Sequence, residues 1–241
     1  MCTVTYIPPS KDQGFILTSN RDEKVFRPTK APEIYQLNGI DVCYPKDLEK
    51  GGSWIAAGNN GRLVCLLNGA FLPHQKQDFH TLSRGQVLLA IATFNGDLKD
   101  FFENEDLNAT EPFTIISIEH KKEKVTRMLE FIWDEEQKHI SELDPQNPGI
   151  WSSVTLYSSN DRELRRIWFD RFLNENNTPI HSEKVYDFHS GRHTNDQTIN
   201  LLMEREGGLK TVSITQVLPS YNGFSMKYTD LLNSTEHQVK I

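Results

Sequence analysis

The second residue of this chain is a cysteine, and a short apolar stretch leads from it to four strongly polar side chains, Asn20-Arg21-Asp22-Glu23. Loss of Met1 would leave Cys2 with both a thiol and a free α-amine, so one residue would supply attacking atom and base. An unperturbed thiol titrates near ~8.5 and an α-amine near ~7.7–8.0, so a modest shift brings the pair into play near neutral pH. This is the N-terminal relative of a Ser–His pair, and it supports acyl transfer through an acyl-cysteine. Asn68 is of the right type to stabilise the oxyanion of such a reaction, and Asn68-Gly69 is equally a turn-former.

These residues need strands to hold them. Residues 2–7 and 14–19 are β-rich runs separated by the turn cluster Pro8-Pro9-Ser10-Lys11-Asp12. Ladder hydrogen bonds directly behind Cys2 would keep it from fraying. The second run delivers the polar cluster to a strand end, and Arg27-Pro28 closes it. Residues 29–50, with Pro32 and Pro45, read as irregular. Ser53–Gly58 and Arg62–Leu67 flank Asn59-Asn60-Gly61, a strong hairpin signal, and the second arm is apolar enough for burial on both faces.

Ser83-Arg84-Gly85-Gln86 predicts a capping box, and Asp97 a cap for a second short helix. A meander is expected over 113–118, 124–133 and 139–142, then a strand over 150–157. Asn160-Asp161-Arg162-Glu163 opens a helix with Leu164, Ile167, Trp168 and Phe172 on its inner face. Helices near 181–188 and 195–205 precede strands over 211–217 and 224–228, joined by a turn at 219–223. The order predicts a single layered domain, 1–241, of two mostly antiparallel sheets with helices on their outer faces.

Lysine and arginine number 26 against 33 acidic residues, a net charge of -7, which argues against a nucleic-acid partner. No apolar run approaches the ~20 residues of a membrane span, and the N-terminus lacks the parts of a secretory signal, so a cytoplasmic location is expected. Cys43 and Cys65 read as buried, reduced thiols. His189 and His193 have helical metal-ligand spacing, but Gly191 lies between them and no His-Glu-x-x-His pattern is present. No metal or cofactor is expected, a small molecule is the expected partner, and no feature specifies an oligomeric state.

Met1-Cys2, Ser19 to Glu23, Arg27-Pro28, Gly51-Gly52-Ser53-Trp54 and the hairpin from Asn60-Gly61 to Leu67-Asn68 together resemble the NRDE-motif family, which includes the transport and Golgi organisation 2 proteins. The match is dense over 1–95 and diffuse beyond, where Trp151-Ser152 and the helix after Asn160 are similar. That family resembles in turn the cysteine branch of the N-terminal nucleophile hydrolases, such as choloylglycine and penicillin V amidases. The resemblance implies an α+β fold, a four-layer αββα sandwich, and cleavage of a non-peptide amide or acyl bond in a small molecule.

By the same resemblance Cys2 would be the nucleophile and its α-amine the proton acceptor. Asp22 would orient the amine and Asn68 would donate to the oxyanion. Asn20, Arg21, Arg27 and Trp54 would bind substrate or support the residues that do. The amidases set an arginine ahead of Asn-x-Asp; here that position is Ser19, and Arg21 occupies the spacer. Their second asparagine has two candidate counterparts, Ser153 and Asn160, and a late arginine is matched by Lys210. These departures keep a second function open, a non-catalytic carrier for a hydrophobic small molecule such as haem or an acyl lipid.

Overall fold

The chain is described by a computed structural model over residues 3–11, 13–121, 124–176, 179–220 and 223–241. In chain order the elements are β1 (Thr3–Ile7), β2 (Ile16–Lys24), β3 (Thr29–Leu37), β4 (Ile40–Asp47), β5 (Ile55–Gly58), β6 (Arg62–Asn68), α1 (Arg84–Thr93) and α2 (Leu98–Asn104). There follow β7 (Phe113–Lys121), β8 (Lys124–Trp133), β9 (Lys138–Glu142), β10 (Gly149–Ser152), α3 (Ser159–Glu175), α4 (Ser182–Ser190), β11 (Glu204–Arg205), β12 (Leu209–Ser220), β13 (Gly223–Asp230) and β14 (Thr235–Lys240).

Period-two patterning sorts the side chains onto faces. One sheet runs β10-β1-β2-β12-β13-β14, with β11 on β12; the other runs β3 to β9 in sequence. Val4, Tyr6 and Leu17 of the first meet Leu63, Cys65 and Ile116 of the second in the central core. The alternate residues Ile7 and Ile16 pack outward under α3 and α4, and Val64, Leu66 and Ile115 pack under α1 and α2. This is the four-layer αββα sandwich. Burying each such aliphatic side chain contributes about 1.5–3 kcal/mol, so the layers enforce one another.

Four expectations need correction. Residues 29–50 are a hairpin, not an irregular stretch: Asn38 and Gly39 both have positive φ, 52° and 76°, the turn that an Asn-Gly pair favours. Pro32 falls where the β3–β4 register shifts, on an edge strand, and Pro45 lies beyond the β4–β5 pairing, so neither proline interrupts a ladder. The strand expected to reach residue 157 stops at Ser152. The span 195–205 is not helical; the Asn200 side chain ties it, accepting from His193 N–H and donating to Thr194 C=O. Finally, α3 is rotated from its expected face: Ile167 is exposed, whereas Arg165, Trp168 and Phe169 are buried.

The caps are mixed. Asp97 caps α2 by accepting from Lys99 N–H. α3 opens on a capping box formed by Ser158 and Asp161, two residues ahead of the Asn160–Glu163 pattern. Ser83 precedes α1 but its hydroxyl makes no capping bond, and Gln86 donates instead to Lys50 C=O.

Candidate functional site

A cavity of about 320 Å³ opens between the β2–β3 turn, the β4–β5 loop, the end of β6 and the start of α1. Four of the expected site residues line it: Arg21, Arg27, Trp54 and Asn68. Arg21 reaches it from the face of β2 opposite Asn20 and Asp22, because successive strand residues alternate. Its guanidinium donates to Asp47 Oδ2 at 2.9 Å and Thr29 Oγ1 at 2.8 Å, and lies 4.4 Å from the Trp54 ring centroid. Arg27 Nε lies 2.8 Å from the same Asp47 carboxylate. Burial pulls the Arg21 guanidinium below its ordinary value, and Glu23 and Asp47 oppose that shift.

Asp47 is thus the pivot of this wall. It also accepts from the backbone N–H groups of Glu49 and Lys50, which bends the chain toward Gly51 and Gly52. Gly52 and Gly85 then meet backbone to backbone: a Cβ on Gly85 would lie 2.8 Å from Ser53 O and 2.9 Å from Ser53 N. Helix propensity alone would make Gly85→Ala stabilising by about 1 kcal/mol. The contact reverses the sign, and Gly85→Ala should cost about 1–3 kcal/mol in urea unfolding.

Asn68 closes β6 beside Gly69, whose φ is 90°. The Asn68 carbonyl accepts from Ser153 Oγ at 2.8 Å. Ser153 is fully buried directly after β10, whereas Asn160 is exposed in the first turn of α3. Of these two candidates, only Ser153 hydrogen-bonds an expected site residue among the described residues. Ser152 in turn pairs with Thr3, so the start of β1 and the end of β6 are linked through two adjacent serines.

The opposite face of β2 is built differently. Asp22 is buried and accepts from Tyr157 Oη at 2.5 Å and Thr211 Oγ1 at 2.6 Å. Asn20 is not among the cavity residues: its amide donates to His189 C=O and Leu201 C=O, fixing α4 and the segment before β11 against β2. Because that amide nitrogen is occupied, Asn20 Oδ1 must accept from His189 Nδ1–H at 2.7 Å, and Thr5 Oγ1–H donates to His189 Nε2 at 2.7 Å. Burial, with the Arg165 and His193 charges adding to it, pushes His189 down to about 3. His193 Nε2 donates to Phe188 C=O. Both histidines therefore serve packing, His189 buried in the last turn of α4 and His193 half-buried just beyond it.

Cys2 lies outside the described residues. Cys43 and Cys65 are buried free thiols that burial pushes up to about 12. Lys210 is half-buried opposite Glu23 in the β2–β12 ladder. Residue-pattern reasoning missed Asp47, Tyr157, Thr211 and Arg165, none of which stands in a short motif. Among the described residues no helix is long and apolar enough to cross a membrane.

The stacked antiparallel sheets between helical layers define the fold of the N-terminal nucleophile hydrolases. The chain is similar to a variant of conjugated bile acid hydrolase from Clostridium perfringens, at 9% identity over 99% of this chain and 92% of that one, TM-score 0.61. It is similar to penicillin V acylase from Agrobacterium tumefaciens at 8% identity over 100% and 86%, TM-score 0.58. It is also similar to the Caenorhabditis elegans ortholog of N-acylethanolamine-hydrolyzing acid amidase, at 14% identity over 90% and 92%, TM-score 0.56. At identities this low the structural likeness shows a shared fold alone. No curated protein matches the sequence significantly. The transport and Golgi organisation 2 family matches residues 1–222, and the chain belongs to that family.

Proposed function

We propose that the protein is an N-terminal cysteine hydrolase acting on a non-peptide amide or acyl small molecule. The observation that carries this is the convergence at the start of β1. Thr3, covalently joined to Cys2, pairs with Asn20 on one side and Ser152 on the other, and Ser153 is bonded to Asn68 at the cavity. In this mechanism the Cys2 thiol gives its proton to the α-amine and attacks the carbonyl carbon. The oxyanion accepts from the Asn68 side-chain amide, the amine returns the proton to the leaving group, and water then hydrolyses the acyl-cysteine. Trp54 fits a substrate-binding role, since its buried indole N–H has no acceptor among the described residues.

The test is intact mass followed by trapping. Active protein should lack Met1, and an activated acyl ester should leave one acyl group on Cys2. Cys2→Ala should abolish both adduct and turnover across a panel of acyl amides. Turnover by protein that retains Met1 would sink the amine-as-base mechanism. Asn68→Ala should lower kcat by about 10²–10³, the effect of one oxyanion donor, with a smaller change in KM.

The engagement of Arg21 by Asp47 favours a second reading, a non-catalytic carrier for a hydrophobic small molecule such as haem or an acyl lipid. Ser19 stands at the position of the amidase arginine, and the Arg21 guanidinium is held by Asp47. Undiminished lipid binding by Cys2→Ala, with no amide turned over by the wild type, would select the carrier.

A further inference from the structure

Arg165 is the largest fully buried side chain of the described residues, and its hydrogen bonds go to uncharged oxygens. It donates to Ile199 C=O, to Asn200 C=O at 2.5 Å and to Thr3 Oγ1. Its guanidinium carbon lies 3.5 Å from the Tyr157 ring centroid, and the Tyr157 hydroxyl donates to Asp22. A second guanidinium, Arg205, stands 5.1 Å from the same ring. One buried cation therefore touches the first described residue of β1 and, through a phenol, the aspartate two positions past Thr3's partner Asn20.

The chemistry of an N-terminal cysteine gives this arrangement a purpose. A carboxylate beside an α-amine favours the ammonium, and an ammonium cannot accept the thiol proton. In the role that the resemblance implies for Asp22, orienting the Cys2 amine, a bare carboxylate would also disarm it. Two hydroxyl donors on the carboxylate, and a cation behind one of them, weaken that field while leaving the geometry. A cation over the ring also strengthens the phenol as a donor.

We propose that Arg165 and Tyr157 are positioning residues of the Cys2 site, holding the start of β1 through Thr3 and offsetting the Asp22 carboxylate so that near neutral pH the Cys2 amine is neutral and can take the thiol proton. This role presupposes that Cys2 is the nucleophile. Other charged or titratable groups among the described residues near this end of β1 and β2 have partners of their own. Arg21 is paired with Asp47 on the opposite face, Glu23 and Lys210 are ladder neighbours, Arg205 adds to Arg165, and His189 is held neutral between Thr5 and Asn20. The field of Arg165 does reach β1's neighbours, since it helps to depress His189.

The experiment is the pH dependence of Cys2 alkylation by iodoacetamide, read by peptide mass spectrometry on the full chain after Met1 removal is confirmed. Cys43 and Cys65, both buried, stay silent below pH 9. Arg165→Met and Tyr157→Phe should each move the Cys2 profile about one unit alkaline, and Arg165→Lys, which keeps the charge, should restore most of it. Tyr157→Phe removes a single oxygen and reports even where Arg165→Met fails to fold. Coincident profiles for wild type and folded Tyr157→Phe would overturn the proposal. Because alkylation needs no substrate, that failure is separable from failure of the hydrolase assignment, in which profiles shift but no amide is turned over.

Discussion

Asp47→Ala is expected to lower stability by about 3–5 kcal/mol, the cost of leaving a buried cation without its partner. Arg21 has a side chain 4% exposed, so water cannot replace the lost carboxylate. Thr29 Oγ1, the Trp54 face and Glu23 at 4.0 Å remain, and they are weaker than a charge-assisted bond of 2.9 Å. Arg27 loses the same anchor, and the Glu49 and Lys50 N–H groups lose theirs. Arg21→Met in the Asp47→Ala background should recover part of the loss, because the stranded charge goes with it. Urea unfolding of the single variants and the double variant measures this. A cost under about 1 kcal/mol for Asp47→Ala would show that Arg21 is hydrated in solution and that the cavity wall is not built on this pair.

The strand pattern of β1 and β2 was legible because alternation reports two faces, and the Asn60-Gly61 hairpin because its turn chemistry is local. Asn38-Gly39 carried the same signal, but Pro32 and Pro45 masked it, since a sequence does not say which strand is an edge. β14 was invisible for a related reason: nearly every side chain of Thr235–Lys240 is exposed on an edge, so no apolar period exists to detect. In the site, strand alternation parts Arg21 from Asn20 and Asp22, and which face meets the cavity depends on the second sheet. Asp47 and Tyr157 join the site across 26 and 135 residues of chain. Arg165 escaped because periodicity assigns apolar residues inward, and here a buried arginine displaces Ile167 to the surface.

The same buried polar layer should make the fold acid-sensitive in a way one substitution removes. His189 is neutral in the fold and held down to about 3, below an unfolded imidazole near 6.5. Its folded-state affinity for protons is thus the lower one, and the unfolded chain binds more of them once pH falls below about 6.5. The contribution of His189 to stability is complete above about 6.5 and is lost as pH falls, at about 1.4 kcal/mol per unit. Between pH 6.5 and 4.5 that is about 2–3 kcal/mol, before most carboxylates begin to titrate. His193, lowered chiefly by burial, adds in the same direction. His189→Gln keeps a donor for Asn20 Oδ1 and an acceptor for the Thr5 hydroxyl without a titrating ring, so its stability should fall far less over this window. Parallel urea-unfolding curves for wild type and His189→Gln from pH 7 to 4.5 would mean that His189 accepts a proton in place. The NRDE asparagine would then not be bound to a neutral imidazole, and the bracing of α4 on β2 would need a different origin.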